Sequence, residues 1–120
     1  EMVVVSRSLG TVVCYALLRE LAKKGQTLNV KLFVTLGSPL AIDEVRKEFP
    51  LPLNIPAGIQ RWFNGSDPEE FVALHSAIEP PKYADGIENI VDIENGDEDP
   101  HDIERYLRDI RVATTIHNAI

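Results

Sequence analysis

Apolar residues along this chain fall into two alternating patterns, short continuous runs and helical stripes. Val3 to Val5 and Val30 to Leu36 are nearly uninterrupted apolar runs, which is typical of parallel strands covered on both faces. Between them, residues 11–24 repeat apolar positions every three or four residues and predict an amphipathic helix that ends at Gly25. The predicted core positions of this helix are Val13, Tyr15, Leu17, Leu18 and Leu21.

The second half of the chain continues the alternation with shorter elements. Residues 49–58 contain three prolines and predict an irregular loop. The predicted elements are helices at Ile42–Glu48, 69–74, Ile103–Leu107 and Val112–Asn118, and strands at Ile59–Asn64 and Asn89–Ile93. Their order predicts an α/β fold, a mostly parallel sheet flanked by helices, with residues 1–120 forming a single domain.

Composition and charge narrow the classes of function. The net charge of −7 disfavours a nucleic-acid partner, because such a surface repels phosphates. No apolar run approaches the roughly 20 residues of a transmembrane helix, so none is expected. Cys14 is the single cysteine, which fits a reducing compartment, and we expect a cytoplasmic protein. The first strand follows directly on Glu1, which suggests that strands preceding it lie outside this sequence.

Residues 6–10, Ser-Arg-Ser-Leu-Gly, connect the first strand to the first helix and carry the strongest candidate chemistry. In the G-x-S-x-G turn of serine hydrolases, a strained backbone lifts the serine hydroxyl above the sheet. Ser8 has the nucleophile's position, Gly10 keeps the second glycine, and Ser6 replaces the first. Small residues are expected at both flanking positions because strand and helix pass close together. The alternative is an ordinary βαβ turn, which needs no nucleophile.

A serine nucleophile needs a histidine as base and an acid that orients this histidine. His101 follows the last predicted strand and is the favoured base, with His75 as second choice, whereas His117 is expected in solvent or at a helix end. The chain order Ser, acid, His points to Asp67, Glu69 or Glu70 in the turn after the third strand, and Asp67 and Glu70 are the two candidates kept. The alternative roles are a helix cap for Asp67 and its capping-box partner for Glu70.

Two further charged features have ordinary explanations. Arg7 either holds a substrate carboxylate or phosphate or pairs with an acid such as Glu70 or Asp102, and the pairing is favoured. Residues 94–99 are acidic, but their spacing does not match a calcium-binding loop, so a solvated loop is expected. Acyl transfer to a serine needs neither metal nor organic cofactor, and none is expected.

Three segments together resemble the carboxyl-terminal part of the α/β-hydrolase superfamily, in particular its lipases and esterases. They are the Ser8 turn, Phe33–Leu40 with its Thr-Leu-Gly-Ser-Pro sequence, and Arg61–Ala73. The resemblance implies an α/β-hydrolase-like fold that lacks its N-terminal strands, so that residues 1–120 are the C-terminal portion of a larger domain.

The resemblance also implies the roles of individual residues. Ser8 is then the nucleophile and His101 the base. The family's acid commonly lies two residues before a valine, which is the place of Glu70, and Asp67 is the nearest aspartate. The backbone N–H of Leu9 is then one oxyanion donor, and the second comes from a loop after an earlier strand.

The expected function is therefore a serine hydrolase, carboxylesterase-like or lipase-like, that acts on a small-molecule ester or lipid-like substrate through an acyl-enzyme. The alternative is a non-catalytic fragment or interaction module of the same fold that pairs strands with a partner chain, including a homodimer through the sheet edge. A phosphate-binding turn is a weaker third interpretation, because no glycine-rich loop or Walker-type lysine is present.

Overall fold

The computed structural model describes residues 1–68, 77–94 and 103–120. Its strands are β1 (Met2–Arg7), β2 (Val30–Leu36), β3 (Trp62–Gly65) and β4 (Glu88–Ile90). Its helices are α1 (Leu9–Lys23), α2 (Asp43–Arg46), α3 (Ile103–Arg108) and α4 (Ile110–Ala119). The strands form one parallel sheet in the order β1-β2-β3-β4, which confirms the predicted α/β class. Within the described ranges, no helix is both long and apolar enough to cross a membrane.

Strand β2 lies inside the sheet and is apolar because helices cover both of its faces. Leu32, Val34 and Leu36 pack in a cluster with residues of α3 and α4. Phe33 points to the opposite face, where it packs with α1 and Trp62. The alternation of side chains along a strand therefore places both sets in a core, which explains the continuous apolar run.

The core on the α1 face is built around Trp62, whose side chain is fully buried. Tyr15 and Phe33 contact it with ring centroids 5.2 Å and 5.1 Å away. The indole Nε1–H donates a hydrogen bond to Thr35 Oγ1 over 2.9 Å, so the one polar atom of the ring is satisfied. Aromatic packing and this hydrogen bond together fix β2 against β3.

The sequence correctly placed β1 and α1 but overestimated their burial. Val13 and Leu17, predicted as core positions, have 66% and 55% of their surface exposed, and Val5 of β1 is 38% exposed. The reason is that α1 contacts the sheet through a different stripe, which contains Tyr15 and Leu18. In addition, β1 lies at the edge of the sheet formed by the described residues.

The remaining element boundaries shift by a few residues. Strand β3 begins at Trp62 because Ile59 contributes only an isolated parallel bridge to Val30. Strand β4 ends at Ile90, and Ile93, predicted as its last residue, is buried in the loop beyond it. Residues 69–76 and 95–102 lie outside the described residues. The predicted helix at 69–74 and most of the predicted acidic loop at 94–99 fall in these two segments.

Candidate active site

The carboxyl ends of β1, β2 and β3 form a level edge, because the strands are in register. Ser8, Gly37 and Ser66 are the first residues after these strands. Each donates its backbone N–H to the last residue of the next strand, over 2.9, 3.0 and 2.9 Å respectively. The turn that carries Ser8 and the turn that follows β2 therefore start from equivalent positions at the same edge, where open α/β sheets build their sites.

Ser8 has an unfavourable backbone conformation, with φ 51° and ψ −132°. Among the described residues it is the single non-glycine residue with a positive φ. Gly37, at the equivalent position after β2, has φ 55°. A residue with a side chain in such a region costs about 1–3 kcal/mol, and such strain concentrates at functional sites. The structure thus has the backbone feature that a nucleophile turn requires.

The hydroxyl of Ser8 is not used for capping α1. A serine at the N-cap of a helix ordinarily has an extended backbone and accepts a hydrogen bond from an N–H of the first turn. Ser8 has neither property, since its backbone is outside the extended region and its side chain makes no capping hydrogen bond. The common structural role of a serine at this position therefore does not account for Ser8.

The carbonyl of Ser8 is held by Thr11. The Thr11 backbone N–H and the Thr11 Oγ1 hydroxyl both donate to Ser8 O, over 3.0 and 2.7 Å. Thr11 Oγ1 also lies 2.6 Å from Ser38 Oγ, and both side chains are buried. Sequence reasoning missed Thr11 and Ser38. The available signal was a hydroxyl residue three positions after Ser8 and another directly after Gly37, the glycine that follows β2.

Of the two flanking positions of the turn, Gly10 differs from expectation and Ser6 does not. Ser6 is buried, and its Oγ donates to Val34 O over 2.9 Å, so it ties β1 to β2. Gly10 is exposed, and apart from its chain neighbours and the backbone of its own helix, a Cβ built on it would meet no heavy atom of the described residues within 4 Å. The expectation that close contact requires a small residue at Gly10 is therefore wrong for the described residues.

The predicted acid Asp67 lies at the same edge as Ser8. It is the second residue after β3 and is fully buried. Aspartate is almost never fully buried unless a partner satisfies its carboxylate. The side chain of Leu9 is 71% exposed, and its N–H belongs to the first turn of α1, where amides have no intrahelical acceptor. Arg7, next to Ser8, is also exposed.

The other predicted site residues are only partly covered by the structure. Glu70, His75 and His101 lie outside the described residues, as does Asp102. His117 is exposed near the end of α4, as expected. Cys14 is half-buried against the core on the α1 face, which agrees with a packing role.

An open groove of about 660 Å³ lies away from Ser8, between the second half of α1 and residues 48–57. Arg19 connects its two sides, because its Nη1 donates to Tyr15 Oη over 2.9 Å and to Pro52 O over 3.3 Å. The guanidinium also lies over the ring of Phe49, 5.6 Å from its centroid. The proline-rich loop is therefore fixed to the far half of α1.

Several ionisable groups have altered pKa values because of structural contacts. Hydrogen bonds from Arg61 lower the pKa of Glu88 at the start of β4. A hydrogen bond from Arg46 lowers the pKa of Asp43. Burial raises the pKa of Tyr83, whose hydroxyl donates to Leu40 O over 2.6 Å. These pKa shifts arise in two ion pairs and at a buried phenol. None of the three groups belongs to the turns at the carboxyl edge where Ser8 lies.

Neither metal-ligand geometry nor similarity to known proteins assigns a further function to the chain. In the part of the chain that the structure describes, no group of three or more His, Cys, Asp or Glu side chains is arranged to hold a metal ion. Comparison of the chain with protein-family models, with curated proteins and with solved structures gave no match.

Proposed function

We propose that this chain carries the Ser-His-acid triad of a serine hydrolase that cleaves esters, with Ser8 as the nucleophile and His101 as the base. The observation that carries the proposal is the backbone of Ser8. It is strained at a position where the neighbouring strand has a glycine, and its hydroxyl does not cap the helix that it precedes. A strained serine at the carboxyl edge of a parallel sheet supports a role in chemistry.

The proposed reaction has two steps. Ser8 Oγ attacks the ester carbonyl while His101 removes the hydroxyl proton, and the N–H of Leu9 donates to the oxyanion that forms. The intermediate collapses, the carbon–oxygen bond to the alcohol breaks, and His101 returns the proton to the departing alcohol. In the second step His101 removes a proton from water, which attacks the acyl carbonyl. The bond to Ser8 Oγ then breaks, and His101 returns the proton to Ser8 as the acid leaves. The substrate class is a small-molecule ester or a lipid-like ester.

Asp67 is the better candidate for the acid that orients His101. Its carboxyl group is fully buried and belongs to the turn after β3, at the edge where Ser8 lies. An acid in this role must stay ionised in a protected position and accept the imidazole N–H. An exposed helix cap would need no such burial.

A fluorophosphonate probe tests the nucleophile. The natural full chain should gain one probe mass, and peptide mapping should place it on Ser8, because a fluorophosphonate reacts with activated serines. The Ser8→Ala variant should gain none. Ser6 and Ser38 serve as internal controls, since both are buried and hydrogen-bonded. A natural full chain that stays unlabelled would rule the proposal out.

The choice of acid is tested by two conservative substitutions. Asp67→Asn should lower kcat for a p-nitrophenyl ester by about 10⁴-fold, the loss seen when a triad aspartate becomes an amide. Glu70→Gln is the matched control and should retain most activity. If the losses are reversed, Glu70 is the acid. If neither variant loses activity, the proposed triad is wrong.

A second candidate function is an interaction module that dimerises with a second copy of itself. Leu9, Val13 and Leu17 form an exposed apolar stripe on α1, with 71%, 66% and 55% of their surface accessible. Strand β1 is next to this helix and lies at the edge of the sheet that the described residues form, where unpaired backbone groups favour a further strand. Glu1, directly before β1, and Arg7, its last residue, carry opposite charges. Antiparallel pairing of two β1 strands would therefore place opposite charges together and bring the stripes side by side.

Sedimentation tests this candidate. The chain should sediment as a dimer at micromolar concentration, and Val13→Glu should convert it to a monomer, because a charge in an apolar interface is costly. Glu44→Gln, at an exposed position on α2 rather than on α1, is the control and should remain dimeric. A monomeric wild-type chain contradicts dimerisation and leaves the hydrolase proposal untouched.

A further inference from the structure

Three polar groups outside the predicted triad form a directed chain that ends at the nucleophile turn. Leu40 N–H donates to Ser38 Oγ over 3.1 Å. Ser38 Oγ lies 2.6 Å from Thr11 Oγ1, and Thr11 Oγ1 lies 2.7 Å from Ser8 O. The side chains of Thr11 and Ser38 are 0% and 2% exposed, so water does not compete for these hydrogen bonds.

The direction of the chain follows from its last member. A carbonyl oxygen only accepts, so the single hydroxyl hydrogen of Thr11 must point to Ser8 O. Between Ser38 and Thr11, the donor must then be Ser38. The order is therefore Leu40 N–H to Ser38, Ser38 to Thr11, and Thr11 to the carbonyl of Ser8, with one hydrogen in each contact.

We propose that Thr11 and Ser38 are positioning residues that orient and polarise the oxyanion donor. The proposal rests on the hydrolase function proposed above. The carbonyl of Ser8 and the N–H of Leu9 belong to one planar peptide, so fixing the oxygen also fixes the direction of the N–H. Hydrogen bonds received by the carbonyl draw electron density from the nitrogen, which makes the N–H a stronger donor, and successive hydrogen bonds reinforce the effect.

The chain also explains how the strained turn persists. Ser8 O accepts from both the backbone and the hydroxyl of Thr11, and these two bonds hold the peptide that follows the unfavourable φ and ψ of Ser8. Ser38 joins this arrangement to the turn after β2, which lies at the same edge. The two adjacent turns are thereby coupled through side chains, beyond the backbone pairing of their strands.

The experiment compares Ser38→Ala and Thr11→Val with Thr11→Ser, in the natural full chain. Active sites are first counted by fluorophosphonate labelling, and the rates of labelling and of ester hydrolysis are then expressed per labelled serine. Ser38→Ala and Thr11→Val should lower kcat by about 10- to 100-fold, less than the 10²–10³ that follows removal of an oxyanion donor. KM should not change, because the lost interaction acts on the transition state. Thr11→Ser retains the hydroxyl and should restore the rate.

A matched control removes a similar hydroxyl elsewhere. Thr115 Oγ1 donates to Arg111 O over 2.7 Å in α4, and Thr115→Val should leave kcat unchanged. Wild-type rates per labelled serine in both Ser38→Ala and Thr11→Val would overturn the proposal. A loss confined to the number of labelled sites would also overturn it, because it would indicate a structural role alone. If Ser8→Ala still labels, the hydrolase function itself is wrong, so the two failures are distinguishable.

Discussion

The turns after β1 and β2 start at equivalent positions of the sheet but meet the same geometric demand with different residues. Both place a positive φ directly after the strand, 51° at Ser8 and 55° at Gly37. Glycine adopts this conformation freely, whereas a residue with a Cβ does so at a cost. The turn after β2 thus represents the low-strain solution, and the turn after β1 accepts strain to present a hydroxyl. The difference suggests that the requirement at position 8 is chemical rather than structural.

The largest expected effect is on activity and is confined to the turn after β1. Ser8→Ala should reduce ester hydrolysis by about 10⁴-fold or more, as expected when the nucleophile of a triad is removed. Its free energy of unfolding should change little, because alanine keeps the Cβ and therefore the strain. Activity assays together with urea unfolding measure both quantities. An active Ser8→Ala protein would remove the chemical explanation of the comparison.

Gly37→Ala should introduce at the second turn the strain that the first already has. The free energy of unfolding should fall by about 1–2 kcal/mol, because alanine is disfavoured at positive φ. Gly25→Ala is the matched control, since Gly25 has φ 73° and no heavy atom within 4 Å of a built Cβ. Urea unfolding measures the loss of stability in both variants. Similar losses in Gly37→Ala and Gly25→Ala would indicate that backbone strain, rather than contacts of the added methyl group, causes the loss.

Ser8→Gly should relieve the strain at the first turn. The variant should be more stable than Ser8→Ala by about 1 kcal/mol, since the relief exceeds the greater flexibility that glycine gives the unfolded chain. Thermal unfolding of the two variants side by side isolates the contribution of backbone strain at position 8, because both variants lack the hydroxyl. Equal melting temperatures would show that position 8 carries no strain.

The smallest effect is expected far from both turns, at the ion pair between Arg61 and Glu88. Arg61 Nε and Nη2 donate to the two carboxylate oxygens of Glu88 over 2.7 and 2.8 Å, and both side chains are nearly half exposed. Arg61→Gln should cost less than about 1 kcal/mol at pH 7, as for other exposed ion pairs. If Arg61→Gln lowered the free energy of unfolding more than Gly37→Ala does, the ion pair would matter more for stability than the backbone of the second turn.

The pH dependence of this ion pair follows from the lowered pKa of Glu88. A carboxyl group whose pKa is lowered in the folded state stabilises the fold above its unfolded pKa of about 4.3. This stabilisation disappears as the pH falls through the folded-state value. The difference between wild type and Arg61→Gln should therefore be constant near neutral pH and vanish in acid. Unfolding curves at a series of pH values would show this.

Hydrophobic pattern predicted the elements of this fold more accurately than their surroundings. Strand β2 was predicted at Val30–Leu36, as observed, because its continuous apolar run reflects two covered faces. Val13 and Leu17 were wrongly assigned to the core, because periodicity identifies apolar stripes and does not indicate which stripe has a neighbour. The burial of a stripe depends on tertiary contacts between segments distant in sequence.

The candidate site shows the same limit. The motif pointed to Ser8, and chain order left Asp67 and Glu70 open as the acid; of these, Asp67 is described and lies at the same sheet edge. The positive φ of Ser8 and the hydroxyl chain through Thr11 and Ser38 were not predicted, because Ser38 is brought to Thr11 by the pairing of β1 with β2. Sequence identified a residue type in a turn, and the fold determined what supports it. The catalytic roles of Ser8, Asp67, Glu70 and His101 all remain predictions.

The burial of Trp62 has a practical consequence for the unfolding measurements above. The chain contains one tryptophan, and its ring is fully enclosed with its N–H bonded to Thr35. Its fluorescence emission should therefore lie at short wavelength in the native protein and shift to longer wavelength when the sheet opens and water reaches the indole. Intrinsic fluorescence thus supplies a label-free optical signal from the junction of β2 and β3, without any engineered dye.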